Sequence, residues 1–269
     1  MIYKALTIAG SDSGGGAGIQ QDLKTFQALG VWGMTAITAV TVQNTVGVSG
    51  FVELPPETVA DQIVAVASDI GVDAAKTGML ASAPIIEAVA RAVRDTRIDR
   101  LVVDPVFISK HGDPLLHEGA VEALRVSILP LALVATPNAH EAAGLAGMAE
   151  VRTHAHQVEA GRAILALGAR AVLVKGGHVE GADAVDVLVT QGEVREFGAP
   201  RLETPNTHGT GCMLSAAITA GLAKGLTLET AIGDAKEFVT GAIELSLAIG
   251  KGIGPVNPSW RLDAEKDLG

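Results

Sequence analysis

The chain has 269 residues, 48% of them hydrophobic and only 3% aromatic, with 32 glycines. That length and apolar share support one large domain or two small ones, with small residues where helices pack closely on a sheet. The formal net charge of -10 argues against nucleic acid or an anionic membrane as partner, but not against a nucleotide, whose phosphates are held by local dipoles and one or two cations.

Met1-Ile2-Tyr3-Lys4 leads straight into a first strand, 4–9, without a signal-peptide pattern. Ala9-Gly10-Ser11-Asp12-Ser13-Gly14-Gly15-Gly16-Ala17-Gly18 then opens a helix over 18–29. The spacing matches neither G-x-G-x-x-G, because position 19 is Ile, nor a Walker loop, because Lys24 lies too far into the helix. A glycine loop that closes over a small neutral ligand, or a plain turn, remains. Asp22, one turn into the helix, either faces that ligand or is a solvated helix acid.

The second strand, 34–42, ends at Gln43-Asn44-Thr45. A primary amide offers a donor and an acceptor side by side, which suits the edge of an aminopyrimidine-like ring as well as an exposed turn. Further strands are expected at 73–77, 100–104, 131–135, 171–175 and 185–190. Helices are expected at 57–69, 83–95, 118–128, 138–146, 154–167, 211–224 and 228–248. Leu101-Val102-Val103 and Ala171-Val172-Leu173-Val174 are unbroken apolar runs, as in strands covered on both faces. The alternation predicts a three-layer α/β/α fold with a mainly parallel central sheet, in one domain over 1–269. Segments 47–54, 185–190 and 193–197 suit antiparallel edge strands. No apolar run approaches the roughly 18 residues that span a bilayer.

Ligands of such folds sit at the carboxyl ends of the strands. Asp104 ends one buried strand. Asn138 and Glu141 begin the helix after the next, where they form a capping-box pattern. A hard divalent cation bridging phosphates needs a few carboxylate oxygens, which Asp104 and Glu141 supply. Lys175-Gly176-Gly177-His178 follows another buried strand, with a lysine suited to phosphate oxygens or to solvent. Thr207-His208-Gly209-Thr210-Gly211-Cys212 runs into a helix of small residues. Its first N–H groups lack internal partners and attract an anion, and glycines allow close approach. Cys212, the single cysteine of the chain, excludes an internal disulfide, fits a reducing cytoplasmic compartment and is expected to have a lowered pKa. The seven histidines show no zinc spacing. On the residues alone, a cysteine hydrolase and a binding protein without turnover stay open beside a kinase.

These motifs, with Lys76-Thr77-Gly78-Met79-Leu80, Asp104-Pro105-Val106, Ala235-Lys236 and Gly250-Lys251-Gly252-Ile253-Gly254-Pro255-Val256, occur together in one family. The chain resembles the hydroxymethylpyrimidine/phosphomethylpyrimidine kinases of the ribokinase-like superfamily over nearly its whole length. Gln43 stands where some members carry glutamate, and Cys212 stands where sugar-kinase relatives carry aspartate. The resemblance implies phosphoryl transfer from ATP with magnesium to a pyrimidine alcohol and then to its monophosphate. It implies ring contacts from Gly10, Asp22, Gln43, Met79 and Val106, and Cys212 as base, with Gly209 and Gly211 shaping an anion hole. Lys175, Asn138 and Thr210 would serve ATP, and Asp104 and Glu141 magnesium. A homodimer is expected, with pyridoxal-type kinases as the related alternative.

Overall fold

The computed structural model describes residues 2–108, 112, 115–117, 119–177 and 179–261. His178 of the lysine–glycine motif lies outside the described residues. Nine strands form one sheet in the order β3-β2-β1-β4-β5-β6-β7-β8-β9. They are β1 (Lys4–Ser11), β2 (Trp32–Gln43), β3 (Val48–Glu53), β4 (Ala74–Thr77), β5 (Leu101–Val103), β6 (Val134–Ala135), β7 (Val172–Val174), β8 (Asp183–Val189) and β9 (Val194–Pro200). The run from β2 to β7 is parallel, whereas β3 on one edge and β8 and β9 on the other are antiparallel.

Helices cover both faces because the central strands β5, β6 and β7 are apolar at every position. In β5, Leu101 and Val103 join one core and Val102 the other. In β7, Val172 and Val174 take the first face and Leu173 the second. The first face carries α2 (Pro56–Asp69), α3 (Ala83–Asp95), α4 (Ala120–Ala123), α5 (Ala139–Ala146) and α6 (His154–Leu165). The second carries α1 (Gly18–Ala28), α7 (Thr210–Ala223) and α8 (Leu228–Glu244). This is the three-layer α/β/α arrangement that the alternating pattern implied.

Most elements end within a few residues of the sequence expectation, and three departures have a visible cause. The helix expected over 118–128 keeps a regular turn only at α4, then widens over Leu124–Ile128 and tightens over Leu129–Leu131. Pro130 lacks an N–H and its ring crowds the carbonyl four residues back, so a regular helix cannot run through. The following strand is thereby cut to Val134–Ala135. Helix α8 stops at Glu244, because the Leu247 N–H turns to the Pro255 carbonyl at 2.9 Å.

Candidate active site

The carboxyl ends of β1, β2, β4, β5, β6 and β7 open on one cleft of about 970 Å3. β2 lies to one side of β1 and β4 to the other, so the cleft sits where the winding reverses, as in other open α/β sheets.

The opening loop is built, not slack. The Asp12 carboxylate accepts the N–H groups of Gly14 (2.8 Å), Gly16 (3.0 Å) and Ala17 (2.8 Å). Its Oδ2 also lies 3.0 Å from His208 Nε2. Burial opposes the charge, but the His208 contact and the backbone donors outweigh it and hold Asp12 below the usual carboxylate value. Those amides are spent on Asp12, so they are not a phosphate cradle.

His208 belongs to the second loop, so the two glycine turns interlock. Gly209 has φ +81°, and a Cβ on it would meet the Gly16 carbonyl; a Cβ on Gly16 would strike the His208 ring. Only glycine adopts that backbone at no cost with so near a neighbour. Thr210 Oγ1 ties the turn to the Thr207 carbonyl at 2.8 Å. Helix α7 then begins, with Gly211 and Cys212 facing the cleft.

Asp104, Glu141 and Lys175 meet at the next strand ends. Lys175 Nζ lies 2.8 Å from Asp104 Oδ1 and 3.9 Å from Glu141 Oε2. A Cβ on Gly211 would stand 3.3 Å from the same Nζ. Lys175 therefore bridges the acid pair and the helix start. Asn138 and Glu141 form a true capping box: Glu141 Oε2 accepts from the Asn138 N–H at 2.7 Å and Asn138 Oδ1 from the Glu141 N–H at 2.9 Å. The cap and the cleft-facing carboxylate are one residue doing both jobs. Burial, eased by Lys175 but reinforced by Asp104, pushes the Glu141 carboxyl up to about 7. Lys175 is pushed upward by the same two acids, against burial.

Asp104 and Glu141 share one ammonium, and their carboxyl oxygens are the hard donors that suit magnesium. Among the described residues no group of three or more His, Cys, Asp or Glu side chains forms a cage. Magnesium needs none, because it keeps water and phosphate oxygens with one or two carboxylates.

At the other end lie Gly10, Gln43, Met79 and Val106. The Met79 carbonyl accepts the Gly10 N–H at 3.2 Å and the Thr38 hydroxyl at 2.6 Å, which holds Met79 at the wall. Ser13 Oγ accepts the Gln43 N–H at 2.8 Å and donates to the Gln43 carbonyl at 2.7 Å, fixing the backbone that carries the amide.

Two expectations are corrected. Asp22 does not line the cleft: it is fully buried, its two oxygens each 3.0 Å from Lys76 Nζ, with Thr7 Oγ1 donating at 2.7 Å. Its partner Lys76, not Asp22 itself, lines the cleft. The Cys212 thiol is not lowered but pushed up to about 12. Burial is the main cause, and Asp22 and Asp104 add to it against Lys76 and the Gly18 N–H. The helix start alone suggested the opposite sign because the acids lie far off in sequence.

Sequence reasoning passed over Lys76 and Asp12. The signal for Lys76 was present: one charge inside the buried strand Ala74-Ala75-Lys76-Thr77. A fully buried lysine is rare unless paired.

The model of the phosphomethylpyrimidine kinase family matches residues 12–257. A hydroxymethylpyrimidine/phosphomethylpyrimidine kinase from Streptomyces coelicolor is 52% identical, over 96% of this chain and 94% of its own length. The chain belongs to the phosphomethylpyrimidine kinase family. Solved structures agree in fold. An ADP complex of Bacillus subtilis pyridoxal kinase superposes with a TM-score of 0.90 at 42% identity, over 97% of this chain and 100% of that one. Staphylococcus aureus pyridoxal kinase in complex with AMP-PCP and pyridoxal gives 0.89 at 34% identity, over 97% and 95%. The fold is thus ribokinase-like and the chain is a kinase.

Proposed function

We propose that the chain transfers the γ-phosphoryl group of ATP to the hydroxyl of 4-amino-5-hydroxymethyl-2-methylpyrimidine, and then a second one to the resulting monophosphate, within thiamine biosynthesis. One observation carries this: a single cleft is lined by Gln43, Met79 and Val106, by the Gly209–Cys212 turn, and by the Lys175–Asp104–Glu141 cluster. Its volume, about 970 Å3, is at the upper end for ligand sites and suits two ligands side by side.

Gly10, Gln43, Met79 and Val106 would hold the pyrimidine, with the Gln43 amide reading its edge. Asn138, Lys175 and Thr210 would hold the ATP phosphates. Asp104 and Glu141 would hold magnesium, which when bound neutralises charge on the phosphate oxygens. Phosphoryl transfer has a loose transition state that depends on positioning and charge neutralisation. The amides at Gly211 and Cys212, with Lys175, stabilise the moving group. Cys212 takes the alcohol proton in the first transfer. Because its thiol holds its proton in the free protein, that proton must pass to solvent before Cys212 can accept the alcohol's. The second acceptor is already ionised and needs no base.

A second reading, pyridoxal phosphorylation, draws support from the two structural relatives; the 52% relative favours the pyrimidine. A homodimer belongs to the same proposal: Val40, Val42 and Val52 are 50%, 66% and 70% exposed on the β2–β3 extension, an apolar strip of the kind partners cover. The single cysteine fits a cytoplasmic setting, and no helix among the described residues is long and apolar enough to cross a membrane. ADP release that requires both magnesium and the pyrimidine alcohol tests the kinase reading. Release indifferent to the alcohol would overturn it.

A further inference from the structure

Among the described residues, Lys76 is the one cleft-lining cation whose only charged hydrogen-bond partner lies away from the cleft. Asp22 takes it from behind with both oxygens at 3.0 Å, and Thr7 braces that carboxylate. Both side chains of the pair have no exposure. An ammonium has three donors, and both Lys76 hydrogen bonds among the described residues go to the Asp22 carboxylate. Lys76 and Cys212 line the same cleft, where α7 packs against β4. A Cβ on Gly78 would lie 2.9 Å from the Ala9 Cβ and 3.6 Å from Nζ, so a glycine backbone packs beside the ammonium.

A buried ion pair is weak evidence for stability, since an apolar pair of similar volume is often as good. Its retention at the base of a cleft points to a task. We propose that Lys76 is the positioning residue that makes Cys212 competent in the first phosphoryl transfer, its ammonium serving as the fixed counter-charge to the thiolate and the Asp22–Thr7 bracket holding it in place. The inference rests on the reading of Cys212 as base. The groups facing Cys212 are Lys76, Asp22, Asp104 and Lys175. Lys76 acts on the thiol more strongly than Asp22 does and in the opposite sense.

The step balances without a further reagent. Cys212 loses its proton to solvent while Lys76 stays protonated. The alcohol oxygen pair forms the bond to the γ-phosphorus as the bond to the ADP oxygen breaks. ADP leaves with that electron pair, and the alcohol proton passes to the Cys212 sulfur. In the second transfer no proton leaves the acceptor, so Lys76 has no comparable task.

Cys212 is the single cysteine of the chain, so alkylation of the whole protein reports on it alone. Lys76→Met strands a buried carboxylate and is at risk of misfolding, so Lys76→Met/Asp22→Leu is the working variant. Iodoacetamide alkylation from pH 7 to pH 10 is measured beside the rates of both transfers. The double variant should alkylate roughly tenfold more slowly at each pH below its plateau, the equivalent of one pKa unit. Its first transfer should fall by a similar factor while the second holds. Rescue is expected in Lys76→Arg, which keeps the charge. Unchanged alkylation in the double variant overturns the inference, whatever the rates. Slower alkylation with equal losses in both transfers leaves the charge coupling intact and overturns the base reading beneath it.

Discussion

Cys212 carries the chemistry that the account needs, and its burial makes the test sharp. Its thiol, pushed up to about 12, is protonated at neutral pH. On the proposal that it sheds that proton and then acts as base, Cys212→Ala should cut the first transfer on the order of 10²–10⁴-fold, the usual worth of a general base, and the second far less. Separate progress curves for alcohol and monophosphate read the difference; equal losses would assign Cys212 to shaping the turn. Glu141 makes a second prediction at this scale. Its carboxyl keeps a proton up to about 7 in the folded chain against an ordinary 4.5. The folded state then binds more protons than the unfolded one between those values, so this group's contribution to stability falls as pH rises through the window. Above about 7 it levels off. Glu141→Gln keeps the cap and should remove that slope from the metal-free protein. Thermal midpoints of both proteins from pH 4.5 to pH 8 check it, and parallel curves would contradict it.

The two glycine turns act as one element through Asp12 and His208. Asp12 organises the opening loop, and His208 donates its backbone N–H to Gly254 at 3.0 Å and accepts from the Val256 N–H at 3.1 Å. His208→Ala should loosen the acceptor side and the phosphoryl side together. Hydrogen exchange should rise at residues 12–17 and at 208–213 alike; a rise confined to either loop would mean that they are independent. Much of this element was legible in the sequence, because φ-positive glycines and a helix start leave local signatures. The parallel core was legible too, since Leu101–Val103 and Val172–Val174 are apolar throughout. What sequence could not give were pairings across distance. Lys76 meets Asp22 across 54 positions, and Asp12 meets His208 across 196. Nothing local to Asp22 says that its carboxylate turns into the protein, and nothing local to Cys212 says that two acids lie near it. The widened turn at Leu124–Ile128 was missed because Pro130 acts on residues before it.

For the molecule as a whole, the sheet brings the proposed acceptor residues, the turn and the acid pair to one cleft at its carboxyl edge. Asp104 stands at the junction: Oδ1 takes Lys175 at 2.8 Å and Oδ2 takes Ser215 Oγ at 3.3 Å. Asp104→Asn should raise the magnesium needed for half-maximal rate roughly tenfold or more, as expected when one of two carboxylates is lost from a site that magnesium fills with few protein ligands. A magnesium titration at saturating ATP reads it, and an unchanged midpoint would return Asp104 to a structural role. The central claim is the order and identity of the two transfers. It is tested most directly by product masses from magnesium, ATP and three acceptors offered separately: the hydroxymethyl aminopyrimidine, its monophosphate and pyridoxal. The account predicts a monophosphate then a diphosphate from the first, a diphosphate from the second, and the slowest turnover with pyridoxal. Pyridoxal phosphate as the fastest product, or no diphosphate from either pyrimidine, would contradict it.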